Sequence, residues 1–173
     1  MKIFYAKIEK LLSEVGIEKL KEYAQNIQYK SKNRFIEHCA GRFLVINVCK
    51  NFYNIENPKI ITINKKPKLE NNEICLSITH SNGYVMAVFD DDYCAIDLEK
   101  IRPVNLEKMS LRYNKNFKTL DEFFIYWTQY ECSIKQSGKI NFLQSGKLEN
   151  DYIYTVSSSK NDIKNIKAEM FSI

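Results

Sequence analysis

The residues best suited to chemistry lie in one stretch, 76–102, which reads LSITHSNGYVMAVFDDDYCAIDLEKIR. Asp97 and Glu99 are two positions apart in an apolar run that predicts a β-strand, so both carboxylates project from one face at a solvent-facing strand end. Two adjacent carboxylates suit Mg²⁺, which completes its shell with water and substrate phosphate oxygens. Taken alone, the pattern favours a simpler explanation, a charged and solvated strand end.

A histidine and neighbouring hydroxyl groups precede that strand. His80 and Ser81 follow a strand predicted at 74–78, and Gly83 frees the backbone for a turn. An imidazole beside hydroxyls can contact a phosphate or an oxyanion. Since Ser-Asn-Gly is also an ordinary turn sequence, the stretch by itself is weak support for a binding site.

Positive charge is concentrated in one sector of the chain. Residues 28–68 hold nine Lys and Arg residues against Glu37 and Glu56, whereas the whole chain has a net charge of +5. This asymmetry indicates a polyanionic ligand, namely a phosphorylated cofactor, a nucleic acid or an acidic protein, although a solvated lysine-rich face has the same composition. Arg34 and Arg42, with His38 between them, recur every four residues on a predicted helix and could grip a phosphate from one face.

Hydrophobic periodicity predicts the elements that carry these residues. In the first part we expect a short edge strand at 2–6, two helices between 8 and 27 broken at Gly16, a helix at 32–52 capped by Ser31, a strand at 59–63 and a loop at 64–69 ended by Pro67. In the second part we expect a hairpin of 84–89 with 93–98, a short helix within 104–120, a helix from an Asp121 cap to Gln136, a loop at 157–159 and strands near 141–143, 152–156 and 166–171. The order of these helices and strands along the chain predicts an α+β fold made of two similar αβ halves.

Composition limits the class of protein. A chain of 173 residues with 45% hydrophobic residues can bury a core, and it shows neither a membrane-length apolar run nor a signal-peptide pattern. We therefore expect a cytoplasmic protein without a membrane partner. The five scattered cysteines lack a C-x-x-C spacing, so they predict small core residues and neither a disulfide framework nor a zinc site.

Four runs, taken in order, resemble one family. They are KKPKL, LSITHSNGYVMAVF, CAIDLEKIRP and FFIYWTQYECSIKQSGK, within about residues 65–139. They are similar to the GKP, SHS, GIDIE and WSxKEAxxK motifs of the 4'-phosphopantetheinyl transferase superfamily, specifically its single-chain surfactin-synthetase-activating branch. The resemblance implies two pseudo-symmetric αβ halves, here 1–101 and 102–173, with the active site in the cleft between them.

The resemblance also implies a function and a set of site residues. The family transfers the 4'-phosphopantetheine group of coenzyme A to a serine of an acyl or peptidyl carrier protein, with Mg²⁺ as cofactor. By position in the motifs, Asp97, Glu99 and Glu131 would bind Mg²⁺, and Lys66, His80 with the adjacent Ser81, and Lys135 would contact the coenzyme A phosphates. Glu131 is the candidate base that takes the serine proton, directly or through a metal-bound water, and Lys135 is the catalytic donor to the pyrophosphate oxygens. Arg34 and Arg42, together with Lys30 and Lys32, would hold the 3'-phosphate.

Some positions depart from the family pattern. Lys65 stands where the pattern has glycine, Tyr130 where the family usually has lysine, and Phe117 where many members have an acidic residue. These departures keep open a second reading, a degenerate member that binds coenzyme A or a carrier protein without efficient turnover. The short chain contains both sets of site residues, so we expect a monomer.

A basic nucleic-acid-binding protein is the third reading. It requires aromatic residues interleaved with an exposed basic surface. Phe35, Phe43 and Phe52 fall instead on the apolar stripe of the helix predicted at 32–52. We therefore expect no nucleic-acid partner.

Carrier proteins of this family present an acidic helix, and Arg112, Lys115 and Lys118 are the candidate contacts for it.

Overall fold

The computed structural model describes residues 1–24, 31–136, 138–161 and 165–172 and shows a mixed α+β fold, the class that the sequence predicts. The helices are α1 (Ile8–Glu14), α2 (Ile17–Lys21), α3 (Lys32–Tyr53), α4 (Leu106–Tyr113) and α5 (Leu120–Lys135). The strands are β1 (Lys2–Lys7), β2 (Ile60–Ile63), β3 (Lys66–Leu69), β4 (Cys75–Ser81), β5 (Tyr84–Asp90), β6 (Cys94–Lys100), β7 (Phe142–Leu148), β8 (Tyr152–Ser158) and β9 (Ala168–Met170).

Two sheets stack between layers of helix. The first has the order β4-β5-β1-β9 and the second the order β6-β8-β7. Phe4 and Phe89 pack with helix residues on one face of the first sheet, and Ile3 and Met86 pack with the second sheet on the other. Because β1 is apolar on both faces and pairs with both β5 and β9, the predicted edge strand is wrong.

The strands around the acidic triplet do not form the predicted hairpin. β5 pairs with β4 through an Asn82-Gly83 turn whose φ angles are 41° and 93°, and β6 pairs with β8 in the second sheet. The chain crosses between the sheets at Asp90, which is buried. Its carboxylate accepts from Ser158 Oγ at 3.0 Å and pairs with Lys160 Nζ at 2.9 Å, so its charge is satisfied there. A triplet that composition marks as a turn is therefore a crossover.

A row of hydroxyl groups joins β4 to β6. Ser77, Thr79 and Ser81 project from alternate positions of β4, and their side-chain oxygens accept hydrogen bonds from backbone N–H groups of β6 at 3.3, 3.2 and 3.1 Å. These bonds replace a backbone ladder at this junction. They place the acidic end of β6 directly beside the end of β4, which carries His80.

The lysine-rich segment is a hairpin and not the predicted loop. β3 pairs with β2 across a turn at Asn64 and Lys65, and Pro67 lies opposite Thr62. Proline is tolerated because this sheet has only two strands, so each strand has a free edge. Lys65 has a φ of 64°, the left-handed region, which gives a backbone reason for the glycine of the family motif.

The helices and remaining strands follow the predictions with local corrections. Gly16 separates α1 from α2 at a φ of 85°, and α3 ends one residue beyond the prediction. Helix α5 is capped by Thr119 Oγ1, which accepts from Glu122 N at 3.1 Å, and not by Asp121, whose carboxylate pairs with Lys147 instead.

Three smaller expectations concern capping and burial. Ser31 holds the N-cap position of α3 without a capping side-chain hydrogen bond. The predicted loop at 157–159 is wrong for its first two residues, because Ser157 and Ser158 are buried in β8. Four of the five cysteines are core residues, as expected: Cys39, Cys49, Cys94 and Cys132.

Over the described ranges, no helix combines the length and the apolar character that crossing a membrane requires.

Candidate functional site

A cleft of about 730 Å³ opens between β3, the first residues of β4 and β6, and the end of α5. We call it the lysine cleft, because its lining includes Lys65, Lys66, Lys68 and Lys135. Its volume is in the range of cofactor sites. The cleft therefore joins the lysine of the KKPKL run to the last residue of α5, which lie far apart in the sequence.

Asp97 and Lys135 form the link between β6 and α5. Lys135 Nζ donates to Asp97 Oδ1 at 2.6 Å and to the carbonyl oxygen of Ile96 at 3.0 Å. Asp97 is only 6% exposed, so the expectation of a solvent-facing strand end is wrong for this residue, since α5 packs against β6 there. Its second oxygen, Oδ2, is buried and has no hydrogen-bond partner among the residues that the structure describes.

Negative charge accumulates around that buried carboxylate. Burial raises the pKa of Asp97 to about 6, the Lys135 ammonium lowers it, and the carboxylates of Glu99 and Glu131 raise it further. Glu99 projects from the same face of β6, and Glu131 reaches the group from α5. The predicted alternation holds on this strand, because Ile96 and Leu98 lie in the apolar core.

The two outer carboxylates differ in their surroundings. Glu99 Oε2 accepts from Arg102 Nη1 at 2.9 Å and its Oε1 accepts from Trp127 Nε1 at 3.3 Å. Glu131 is half-buried one helical turn before Lys135. Glu131 and Lys135 have the i, i+4 spacing of a helical ion pair, but Lys135 Nζ contacts Asp97 instead.

This group of acids fits a divalent cation in its chemistry. Three carboxylates are an all-oxygen donor set of the kind Mg²⁺ prefers, and the orphaned Oδ2 of Asp97 offers a buried acceptor. No three His, Cys, Asp or Glu side chains within the described ranges are already arranged as a metal site. Asp97 is paired with Lys135, and Glu99 is paired with Arg102. A bound cation would balance the charges of the two carboxylates in place of these basic side chains.

His80 lies on β4 and not on the predicted turn. Its Nδ1 is 3.1 Å from Glu37 Oε2 of α3. Burial is the main cause that lowers the pKa of His80, the Glu37 carboxylate opposes it, and the positive charges of Lys135 and Arg34 lower it further. Arg34 and Lys135 therefore lie near enough to His80 for their positive charges to favour its neutral form.

Arg42 is in a different setting from Arg34, although both lie on α3. Arg34 is exposed, whereas Arg42 is 7% exposed and its Nη2 donates to the carbonyl oxygen of Ile60 at 2.6 Å. Arg42 lines a second cavity of about 440 Å³. Lys32 is exposed at the start of α3, and Lys30 lies outside the described residues.

The structure adds residues that the sequence reasoning did not select. Glu37 contacts His80, and Lys65 and Lys68 line the cleft together with Lys66. The signal for the lysines was their spacing around Pro67, which on a strand places Lys66 and Lys68 on one face. Glu37 gave no signal in the sequence, because its partner lies on a distant strand.

The position of Tyr130 bears on the departure from the family pattern. Its side chain is 42% exposed, and its ring stacks on Tyr126 with centroids 6.3 Å apart. Tyr113 and Trp127 complete this aromatic cluster at 6.2 and 5.8 Å from the same ring. Tyr130 is therefore a surface residue on the α4–α5 side of the site and not a core residue.

Comparison with known proteins gives one informative match. No protein-family model matches the chain. Over 73 residues the chain is 34% identical to the 4'-phosphopantetheinyl transferase ffp of Bacillus subtilis, an alignment that covers 36% of this chain and 33% of that relative. The chain thus spans about a third of the length of the curated relative it matches. This similarity supports the superfamily that the motifs resemble, without distinguishing its branches.

Proposed function

We propose that the protein transfers the 4'-phosphopantetheine group of coenzyme A to a serine of an acyl or peptidyl carrier protein. The observation that carries the proposal is the meeting of Asp97, Glu99 and Glu131 with Lys135 beside the lysine cleft, with one buried carboxylate oxygen left unpaired among the described residues. An acidic group that can hold a cation therefore adjoins a basic cleft that can hold phosphates.

Coenzyme A is a polyanion, and this surface offers its charges separate partners. Lys66 and Lys135, which both line the lysine cleft, would donate to the pyrophosphate. His80 and Ser81 follow the cleft-lining part of β4 and project from opposite faces of that strand. His80 would contact the pyrophosphate from the α3 side, and the Ser81 hydroxyl would contact it from the β6 side. Exposed Arg34 is the stronger candidate for the 3'-phosphate. Arg42 is the weaker candidate, because it is buried, donates to the carbonyl oxygen of Ile60 and lines the second cavity.

Asp97, Glu99 and Glu131 would hold Mg²⁺, which supplies charge neutralisation at the pyrophosphate. With this cation in place, Lys135 would exchange the carboxylate of Asp97 for a phosphate oxygen. The acids on β6 come from residues 1–101, and Glu131 and Lys135 come from residues 102–173. In the fold, β6 pairs with β8 and packs against α5, so these four residues belong to the layer of the second sheet, whereas His80 on β4 belongs to the first sheet. The proposed site therefore lies where the two sheets of one monomer meet. For the protein as a whole we propose a cytoplasmic location.

The reaction requires a nucleophile, a base and a stabilised leaving group. The serine oxygen of the carrier attacks the phosphorus that bears pantetheine, and the bond to the bridging oxygen breaks so that adenosine 3',5'-bisphosphate leaves. Serine is too weak an acid to ionise at neutral pH, so Glu131 takes its proton as the attack proceeds. Lys66, His80 and Lys135 donate to oxygens on which negative charge grows.

The α4–α5 surface is suited to the carrier protein. Leu111 is 79% exposed and Ile134 is 56% exposed, and Arg112, Lys115 and Lys118 are exposed nearby in the sequence. Apolar side chains with surrounding positive charge complement an amphipathic acidic helix. Ile134 lies three residues after Glu131 on α5, so a helix docked at Ile134 would bring its serine toward the proposed base.

One observation favours the second reading, a member that binds without efficient turnover. Tyr130 removes a positive charge next to Glu131, and its ring is engaged in the aromatic cluster. The nucleic-acid reading has less support, because Phe43 is buried and Phe52, though 45% exposed, packs on Phe4 at 4.7 Å.

Calorimetric titration with coenzyme A, in Mg²⁺ and in EDTA, tests the binding part of the proposal. We expect saturable binding that Mg²⁺ strengthens and that Lys66→Ala weakens by about tenfold, the effect of one lost charge-assisted contact. Lys118→Ala, a lysine outside the cleft, is the matched control. An affinity for coenzyme A that changes neither with Mg²⁺ nor with the Lys66→Ala substitution would contradict the proposed site.

A further inference from the structure

Helix α3 and strand β4 approach each other closely at a glycine. A Cβ atom added at Gly41 would lie 2.9 Å from Ile78 Cγ2, so only glycine allows this packing without a shift. Glu37 is one helical turn before Gly41, and His80 is two residues after Ile78, on the same face of β4. Because a helical turn and a two-residue strand repeat have similar lengths, the contact at Gly41 also sets Glu37 against His80.

The contact determines where the imidazole carries its proton. A carboxylate only accepts hydrogen bonds, so the approach of His80 Nδ1 to within 3.1 Å of Glu37 Oε2 favours the tautomer in which Nδ1 carries the hydrogen. In the neutral ring this leaves a lone pair on Nε2. A phosphate oxygen requires a donor, so Nε2 can serve a phosphate only after it gains a second proton.

We propose that Glu37 is a positioning residue that fixes the Nδ1–H tautomer of His80 and stabilises the imidazolium formed when a pyrophosphate ligand accepts from Nε2. The ligand part of this inference rests on the proposed function. The tautomer part rests only on the contact between α3 and β4.

The charges around His80 explain why protonation would accompany binding. Arg34, Glu37 and His38 face it from α3, and Lys135 faces it from α5. Without ligand, burial and the cations Arg34 and Lys135 keep the pKa of His80 below its ordinary value. An anionic ligand that pairs with these cations removes their opposition, so His80 takes up a proton while Glu37 balances its charge.

Nitrogen NMR of the ligand-free protein tests the tautomer directly. The chain has only two histidines, so a His38→Gln variant assigns the His80 signals. We expect the Nδ1–H form of His80 in this protein and a shift toward the Nε2–H form in Glu37→Ala. An unchanged tautomer in Glu37→Ala, with an unchanged melting temperature, would overturn the inference.

A double-mutant cycle tests the functional part. We expect Glu37→Gln and His80→Gln each to weaken coenzyme A binding by about tenfold, and the double variant to bind no more weakly than His80→Gln. Titration in two buffers of different ionisation enthalpy should show proton uptake in the unaltered protein and less in Glu37→Gln. Glu9→Gln, an exposed acid on α1, is the control for net charge.

The outcomes separate this inference from the proposed function. Additive losses in the cycle would show that Glu37 does not act through His80 and would overturn its positioning role. If the unaltered protein failed to bind coenzyme A at all, the proposed function would be refuted. The tautomer measurement would then still support or overturn the contact-based role of Glu37.

Discussion

Replacing Asp97 with asparagine should make the metal-free protein more stable at neutral pH. The side chain is 8% exposed, and burial raises its pKa from the ordinary 3.8 to about 6. Between these two pH values the folded protein holds a proton that the unfolded chain has released. The free energy of unfolding therefore falls as pH rises through this window, and the full loss is present above about pH 6.

The size of the effect follows from the same pKa. Each pKa unit corresponds to about 1.4 kcal/mol, so a rise from 3.8 to about 6 gives about 3 kcal/mol of destabilisation at pH 7. Asparagine keeps the shape and an acceptor for Lys135, and the ion pair that it loses is already included in the pKa of about 6. We therefore expect a net gain of about 3 kcal/mol, or roughly 6–12 °C in melting temperature for a chain of this length.

Urea denaturation in EDTA at pH 4 and pH 7 is the assay. At pH 7 the Asp97→Asn variant should have a higher free energy of unfolding than the unaltered protein. At pH 4 the two free energies should approach each other, because both side chains are then neutral in the folded protein. Asp151→Asn, an exposed acid on the β7–β8 turn, is the matched control and should show neither effect. A variant that is less stable than the unaltered protein at pH 7 would refute the assignment of Asp97 as a strained, buried carboxylate. The same variant should lose Mg²⁺-dependent transfer.

Three further substitutions test separate parts of the site. Lys65→Gly should raise the free energy of unfolding by about 1 kcal/mol, because the φ of 64° favours glycine, whereas Lys65→Ala, which keeps the strain, should not; urea denaturation decides. Arg34→Ala should weaken binding of coenzyme A by about 1–3 kcal/mol more than binding of 3'-dephospho-coenzyme A, and equal losses would place the 3'-phosphate elsewhere. Tyr130→Lys should leave the melting temperature within about 2 °C, since the ring is 42% exposed, and should lower the KM for coenzyme A; an unchanged KM would remove Tyr130 from the phosphate side.

Local patterns were sufficient for a strand with two different faces, since the alternation of Ile96 and Leu98 correctly places one face of β6 in the core. They also place the ends of α3 to within one residue, but they do not give its burial, because positions 39–45 are buried in succession and not along one stripe. The same information fails where strand pairing depends on distant partners. The acidic triplet resembled a turn between paired strands, but the buried contacts of Asp90 with Ser158 and Lys160 make it a crossover.

The site shows the same division between local and distant information. Motif order selected Asp97 and Lys135, and the structure joins them at 2.6 Å. The burial of Asp97 was not predictable from its strand, because the cover comes from α5. The contact of Glu37 with His80 depends on how closely α3 and β4 approach, which no spacing within either element reveals.

Intact-mass analysis of apo carrier proteins is the most direct test of the proposed activity. An apo acyl carrier and an apo peptidyl carrier are each incubated with coenzyme A, Mg²⁺ and this protein, and with the Glu131→Gln variant as control. We predict that at least one carrier gains the mass of one phosphopantetheine group on its serine with the unaltered protein, and that the gain is absent in EDTA and with Glu131→Gln. Carriers that stay unmodified here, but are modified by a known transferase under the same conditions, would contradict the proposed function.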